Sequence, residues 1–424
     1  MRMRSAGIGL VLTGIWMSGL PAYPVSAEAM KLLTLADCYQ MALKQSEEVA
    51  IHAEAIHEAE GRFKQSLSGI LPHVSFYSSD KRQDGSGSSA FTLKHVPERK
   101  FTFSQPLFSG FKEFAAMSGA KLERHQREFE QARAEQLLLV DVSNAYHLVL
   151  EQRQDLQVLD SIRKTLRDRI DELEAREKLG RSRSSEVVAV QAQLYRVEAD
   201  WEQAQSRETI STQLLEFLTG LDAIGELADP GPNLPTPDPE GALLAGAESR
   251  ADVKALEQAL GISQQQLKAA QAKFYPTVGL DGNYYLERAG ASKDVTWDAS
   301  LTVNVPIFQG GNAVGASKEA ASEMRQAELR LRQSRRKARQ EIRDAYAEYD
   351  AALAQLRALT KALEATEESY QLQVQEYLLN LVNNLEVLQS LQTLQDSRRE
   401  LIHSRHEALR RYWKLKAAAG ETIP

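Results

Sequence analysis

The residues that could do chemistry in this 424-residue sequence fall in three places. Around Gly180 stand Arg181, Ser182, Arg183, Ser185 and Glu186. Around Asn380 stand Tyr377, Leu381, Val382, Asn383, Leu385 and Glu386. A basic run of Arg330, Arg332, Arg335, Arg336, Lys337 and Arg339 makes the third. A polar cap residue followed by an acid suits the opening turn of a helix, where a carboxylate meets unpaired backbone N–H groups. Gly180 permits the left-handed turn that must precede such a start, and Asn380 tolerates the same conformation better than most residues. None of this makes a catalytic constellation. There is no nucleophile elbow, P-loop or dinucleotide fingerprint. The eight histidines show no HExxH or comparable spacing, and the single cysteine, Cys38, excludes an intramolecular disulfide framework and a Cys-rich zinc site. No enzyme activity, cofactor or metal is expected.

The basic run does not point to nucleic acid. The chain carries 51 − 58 = −7 formal charges, so no global field draws it to a polyanion. Glu328, Glu341 and Asp344 flank the run, which reads as a solvated or interhelix ion-pair face.

The elements that must hold these residues are long helices. Aromatics are 7% and charged residues 26%, with Ala, Leu, Glu, Gln and Arg prominent. Arg2 and Arg4, the apolar stretch 8–20 and the small residues Val25-Ser26-Ala27 form an export signal, expected to be cut after Ala27. Loss of two arginines then takes the charge to −7 − 2 = −9. Cys38 follows Leu35-Ala36-Asp37, but Asp before the Cys is wrong for lipidation, and Cys38 is expected to pack as a small apolar residue. Beyond the signal no stretch approaches the ~18 apolar residues of a spanning helix. A membrane β-barrel stays open to an exported chain.

Proline divides the remainder. After Pro106 none occurs until Pro230, and after Pro306 none until Pro424, so each intervening reach is expected to be mostly helix. The Pro-rich segment 229–241 reads as a linker between two halves, 28–228 and 242–424. The halves repeat. Pro106-Leu107-Phe108 answers Pro306-Ile307-Phe308 at an offset of 306 − 106 = 200, and the same offset relates Ala145-Tyr146 to Ala345-Tyr346 and Glu186-Val187 to Glu386-Val387. Leu71-Pro72 answers Tyr275-Pro276 with a shift of 204. A constant register suggests two copies that must end at one height.

Each half reads as helix, strand, loop, strand, long helix, turn, helix. Leu35, Ala42, Val49, Ile56 and Phe63 stripe a helix over 34–68. Alternation marks strands near 73–80 and 99–108, and again near 277–287 and 294–305. Helical hairpins follow at 111–220 and 311–418, turning near 180 and 380. The stretch 111–178 alone would span about 100 Å, and near-heptad spacing at Leu159, Ile162, Leu166, Ile170 and Leu173 favours coiled-coil packing. Trp297, Tyr284, Tyr285 and Phe308 suit either a membrane interface or ordinary barrel packing. Four strands cannot close a barrel, and open edges are not tolerated in lipid. If these strands enter a membrane, several chains must share one barrel, and three would supply 3 × 4 = 12 strands.

In these residues the chain resembles the TolC-like outer-membrane factors, the exit ducts of tripartite efflux pumps and type I secretion systems. The opening Leu33-Thr34-Leu35, with Cys38 at the family's usual Ala, begins a match that continues through Leu71-Pro72, Pro106-Leu107-Phe108, Arg250-Ala251-Asp252-Val253 and Pro306-Ile307-Phe308-Gln309-Gly310-Gly311. The resemblance implies a mainly helical homotrimer with a twelve-stranded β-barrel in the outer membrane of a Gram-negative bacterium and a long α-helical barrel in the periplasm. It implies as partners a periplasmic adaptor, an inner-membrane pump of the RND or ABC type and outer-membrane lipid. By that resemblance the turns of both hairpins dock the adaptor, through Gly180, Arg181, Ser182, Arg183, Ser185, Glu186, Asn380 and Asn383. The second also forms the periplasmic aperture, through Tyr377, Leu381, Val382, Leu385 and Glu386. The family's Arg and second acid are replaced here by Val382 and Gln389. Three Glu386 carboxylates would then ring the opening and favour cations, or Glu386 would simply cap its helix, a role Glu186 would share. Competing classes are a periplasmic adaptor, a structural coiled-coil envelope protein and an exported hydrolase. The first would carry one hairpin between lipoyl-like segments, the second would lack alternating strands, and the third needs a catalytic set.

Overall fold

The computed structural model describes residues 32–379 and 381–423; the export signal at 1–27 and Asn380 lie outside the described residues. Helices α1 (Leu35–Gln45) and α2 (Glu47–Ser68) lead into strands β1 (His73–Arg82) and β2 (His95–Ser109). The long helix α3 (Lys112–Lys178) then returns through α4 (Ser184–Thr219). After an irregular segment come α5 (Glu240–Ala245), α6 (Ala251–Gln271), β3 (Thr277–Arg288), β4 (Trp297–Asn304), α7 (Asn312–Leu378) and α8 (Asn384–Ala419). Both long helices have 67 residues, about 100 Å, and both returning helices have 36. Among the described residues no helix is long and apolar enough to cross a membrane.

Several local details differ from the sequence expectation, among them β4, which starts at Trp297 rather than near 294 because its ladder with β3 begins at the Tyr284–Trp297 pair. The stripe over 34–68 is broken at Ser46, whose side chain accepts from Val49 N and starts a second helix; cap chemistry overrides the apolar period. Strand β2 begins four residues before 99, because its ladder with β1 continues to His95 opposite Arg82. Glu240 and Gly241 belong to α5 rather than to the linker. Cys38 is fully buried among Tyr39, Leu139, Val142 and Leu215. Burial and then the charge of Asp37 push its thiol up to about 11, so it packs as an apolar group without reactivity.

The four strands form one antiparallel sheet in the order β1-β2-β3-β4. Its two faces have opposite chemistry. Val74 opposes Phe103, Phe76 opposes Phe101, Phe101 opposes Tyr284, and Tyr284 opposes Trp297, with Leu301 and Val303 further along. All of these side chains are exposed. The other face carries hydrogen-bonded polar groups: Ser104 donates to Asp281 at 2.7 Å, Thr102 to Asn283 at 3.2 Å, and Asn283 and Tyr285 to Asp298 at 2.8 Å each. An apolar face that meets no other layer among the described residues and a hydrogen-bonded polar face are the pattern of a strand set between lipid and water. Tyr284 and Trp297 therefore share the apolar side, and Tyr285 lies on the polar one. Strand β4 stops before Val305-Pro306, where proline offers no donor, and Phe308 is exposed beyond it.

The helices pack in pairs, with apolar clusters spaced along them. Near α1, Tyr146 on α3 donates to Leu33 O at 2.9 Å and Ala228 O at 2.6 Å, tying both chain segments to the first hairpin. In the second hairpin Tyr349, not Tyr346, is the fully buried tyrosine and donates to Pro235 O. The basic run on α7 is partnered across helices: Arg335 meets Glu257 at 2.7 Å and Arg339 meets Glu248 at 2.8 Å.

Candidate functional site: the two hairpin turns

The first turn closes by backbone bonding. Gly180 N donates to Glu177 O and Arg181 N to Arg176 O, both at 2.8 Å, with Gly180 left-handed at φ +69. These bonds satisfy the last carbonyls of α3 and point the chain back. Arg183, extended at φ −95, precedes α4 without a side-chain cap. Ser182 Oγ donates to Glu186 Oε2 at 2.7 Å, which holds the carboxylate over the first turn of α4. Gly180, Arg181, Arg183 and Ser185 are exposed.

The second turn repeats the closure with Leu381 N donating to Glu376 O at 2.9 Å. Asn383 caps α8, its Oδ1 accepting from Leu385 N at 2.9 Å and Glu386 N at 3.1 Å, while its Nδ2 donates to Glu386 Oε1 at 3.2 Å. Glu386 thus serves its own helix start and remains exposed with Leu381 and Leu385, and Val382 is half-buried. Tyr377 is separated from this group. It is 8% exposed and lies under two guanidinium groups of α3, with Arg169 Cζ at 4.1 Å and Arg176 Cζ at 5.0 Å from its ring centre.

Arg169, which nothing in the sequence singles out, ties this site together. Its Nε and Nη2 both donate to Asn384 Oδ1, at 3.1 and 3.0 Å, and Nη1 reaches Glu172 at 2.6 Å. Asn384, 3% exposed, is the first residue of α8. One guanidinium therefore joins the end of α7 and the start of α8 to the first hairpin, beside a cavity of about 210 Å³ that Leu166, Tyr370, Val387 and Leu391 help to line. The fold shows that Asn383 caps α8 while its neighbour Asn384 receives Arg169. Among the described residues no cluster of three or more His, Cys, Asp or Glu is arranged to hold a metal ion.

Long paired helices, an unpartnered amphipathic sheet and two exposed turns at the far end define a membrane-anchored helical protein. The chain belongs to the outer membrane efflux protein family, whose model matches residues 38–221 and 246–421. It is 21% identical over 334 residues to the outer membrane protein TolC of Vibrio cholerae, a match covering 74% of this chain and 71% of that protein. Its fold is similar to the outer membrane protein VceC of Vibrio cholerae, at a TM-score of 0.79 and 20% identity over 91% of this chain and 96% of that one. It is also similar to the CmeC outer membrane channel of Campylobacter jejuni, at a TM-score of 0.80 and 15% identity over 91% and 85%. This is accordingly an outer-membrane protein of a Gram-negative envelope whose helices extend into the periplasm.

Proposed function

We propose that three copies of this chain form a passive exit duct of a tripartite efflux pump or type I secretion system. In this reading 28–228 and the stretch from the start of α5 to 424 are two copies of one unit joined by the Pro-rich segment 229–239, and the trimer closes a barrel of 3 × 4 = 12 strands above a ring of helices. The observation that carries it is the sheet: an exposed apolar face, a hydrogen-bonded polar face, and edges on β1 and β4 that nothing among the described residues pairs. Such edges are not stable in lipid unless another chain closes them. The duct does no chemistry. An inner-membrane pump supplies the energy, and an adaptor docking at Gly180, Arg181, Ser182, Arg183, Ser185, Glu186, Asn380 and Asn383 shifts the aperture toward open by binding that state more tightly.

Membrane fractionation of cells expressing the chain, with cross-linking, tests the assembly: an outer-membrane trimer is expected, and a soluble monomer would sink the reading. A deletion strain challenged with dyes, detergents, antibiotics and metal ions tests the pump role, with hypersensitivity restored by the wild-type copy as the expected result. Leu301→Arg, on the apolar face, should cost about 2–4 kcal/mol if the residue sits near the bilayer midplane, and should deplete the protein from the outer membrane fraction. Glu386 bonds to Asn383 through one carboxylate oxygen, which leaves its negative charge on the exposed turn. Glu386→Gln is expected to lower cation selectivity in bilayer recordings. Unchanged selectivity would leave Glu386 with the helix start alone.

A further inference from the structure

His147 on α3 and His406 on α8 face each other inside the seam between the two hairpins, about 50 Å along α3 from the first turn. Their ring centres are 5.9 Å apart, and they are 2% and 0% exposed. Among the described residues neither ring nitrogen of His147 has a hydrogen-bond partner, and nor does Nδ1 of His406. His406 Nε2 lies 3.0 Å from Gln154 Oε1, an amide oxygen that only accepts, so Nε2 carries the proton and Nδ1 the free lone pair.

The surroundings do not welcome a further charge. From α8 the pair meets His403, Arg405 and Arg410, and from the segment after α4 Asp229; on α3, Ser143 lies one turn before His147 and Glu151 one turn after it, with the Ser143 hydroxyl and the Gln152 Oε1 buried and unpartnered among the described residues. The carboxylates are already committed: Glu151 binds Arg410 at 2.7 Å and His403 at 2.9 Å, and Asp229 binds Arg405. On α4, Glu208 is held by Arg153 at 3.0 Å. Tyr146 presents its ring edge-on at 5.4 Å from His147. A proton on His147, or on Nδ1 of His406, would add a buried cation beside Arg405 and Arg410, with the neighbouring carboxylates Glu151 and Asp229 already bonded to other cations.

We propose that His147 and His406 form an acid-sensitive joint in which protonation of either ring drives α8 away from α3 and loosens the second hairpin from the first. The joint rests on the packing of the two hairpins and stands whether or not the chain is a duct. Burial, then neighbouring positive groups, hold His147 down at about 3 and His406 at about 4, from an ordinary value of 6.5. A parted seam restores the ordinary value. The closed seam therefore has its full stability above pH 6.5 and loses it as pH falls toward 4, because only the open form takes up protons in that window. At pH 5 opening is favoured about thirtyfold per histidine relative to pH 7.5.

Amide hydrogen exchange on the full chain in detergent at pH 7.5 and 5.0, corrected for intrinsic rates, tests this over 139–155 and 399–413. Seam opening should rise about thirtyfold or more in the wild type, with no matching rise over 312–330. The double variant His147→Phe, His406→Leu should abolish the rise. Seam exchange that ignores pH, or that rises equally along all helices, overturns the joint. Should the double variant fail to fold, histidine titration of the wild type by NMR decides: two rings still neutral at pH 5 support the proposal, and two that titrate near 6.5 overturn it.

Discussion

Arg250→Ala is expected to destabilise the protein by about 3–5 kcal/mol, the cost of breaking a buried ion pair from one side. The Arg250 side chain is 1% exposed and meets three elements at once. Nε and Nη2 fork onto Asp252 at 3.0 and 2.8 Å, Nη2 also reaches Glu341 on α7 at 2.7 Å, and Nη1 donates to Ala418 O near the end of α8 at 3.1 Å. A cation there satisfies carbonyls that the helix itself leaves unpaired. Arg133 does similar work, donating to Ala417 O at 2.9 Å, and burial followed by Arg250's charge holds its guanidinium below the usual range. Arg250→Lys keeps the charge and loses the fork, so it should recover only part of the loss. Denaturant midpoints in detergent measure both. A loss under about 1 kcal/mol in Arg250→Ala would mean that Asp252 and Glu341, each about a third exposed, rehydrate without penalty.

The second large effect is expected at Arg169. Two charged hydrogen bonds to a buried amide oxygen and one cation–π contact together contribute about 3 kcal/mol to holding the second turn against α3. Where that contact distinguishes a closed from an open aperture, Arg169→Ala shifts the equilibrium about 150-fold toward open. The readout is single-channel conductance in planar bilayers, with larger and longer openings expected. Tyr377→Leu should do the same more weakly, since it leaves the Asn384 bonds intact. Unaltered resting conductance in Arg169→Ala would separate this contact from gating.

What could be read in advance was local, and what could not was the meeting of distant segments. The proline-free reaches hold α3 and α7, and the alternation at Val74, Phe76, Phe101 and Phe103 lies within β1 and β2 on one face. Gly180 at positive φ follows from the short turn its neighbours require. Nothing in the sequence of α3 distinguishes Arg169 from Arg163 or Arg167, which pair with Asp160 and Glu198. Its partner Asn384 lies 215 positions away and arrives only through tertiary packing. The histidines looked scattered for the same reason: ligand spacing is a local pattern, while His147 and His406 come from different hairpins. The break at Ser46 is hidden in the sequence because the apolar stripe of Ala42 and Val49 runs straight through it.

The middle ladder of the sheet also sets an order of events. It joins β2 to β3, so that Thr102 bonds to Asn283, 181 positions further on, whereas each helical hairpin closes on its own neighbours. Loop closure makes distant pairings slow and local ones fast. An emerging chain can therefore wind α3 onto α4 while β1 and β2 wait as an isolated two-stranded ribbon, a unit only marginally stable in water. Until Thr277 and its successors have crossed the inner membrane, Phe76, Phe101 and Phe103 have no finished surface to join. The last third of the polypeptide thus decides when the first can leave the aqueous compartment.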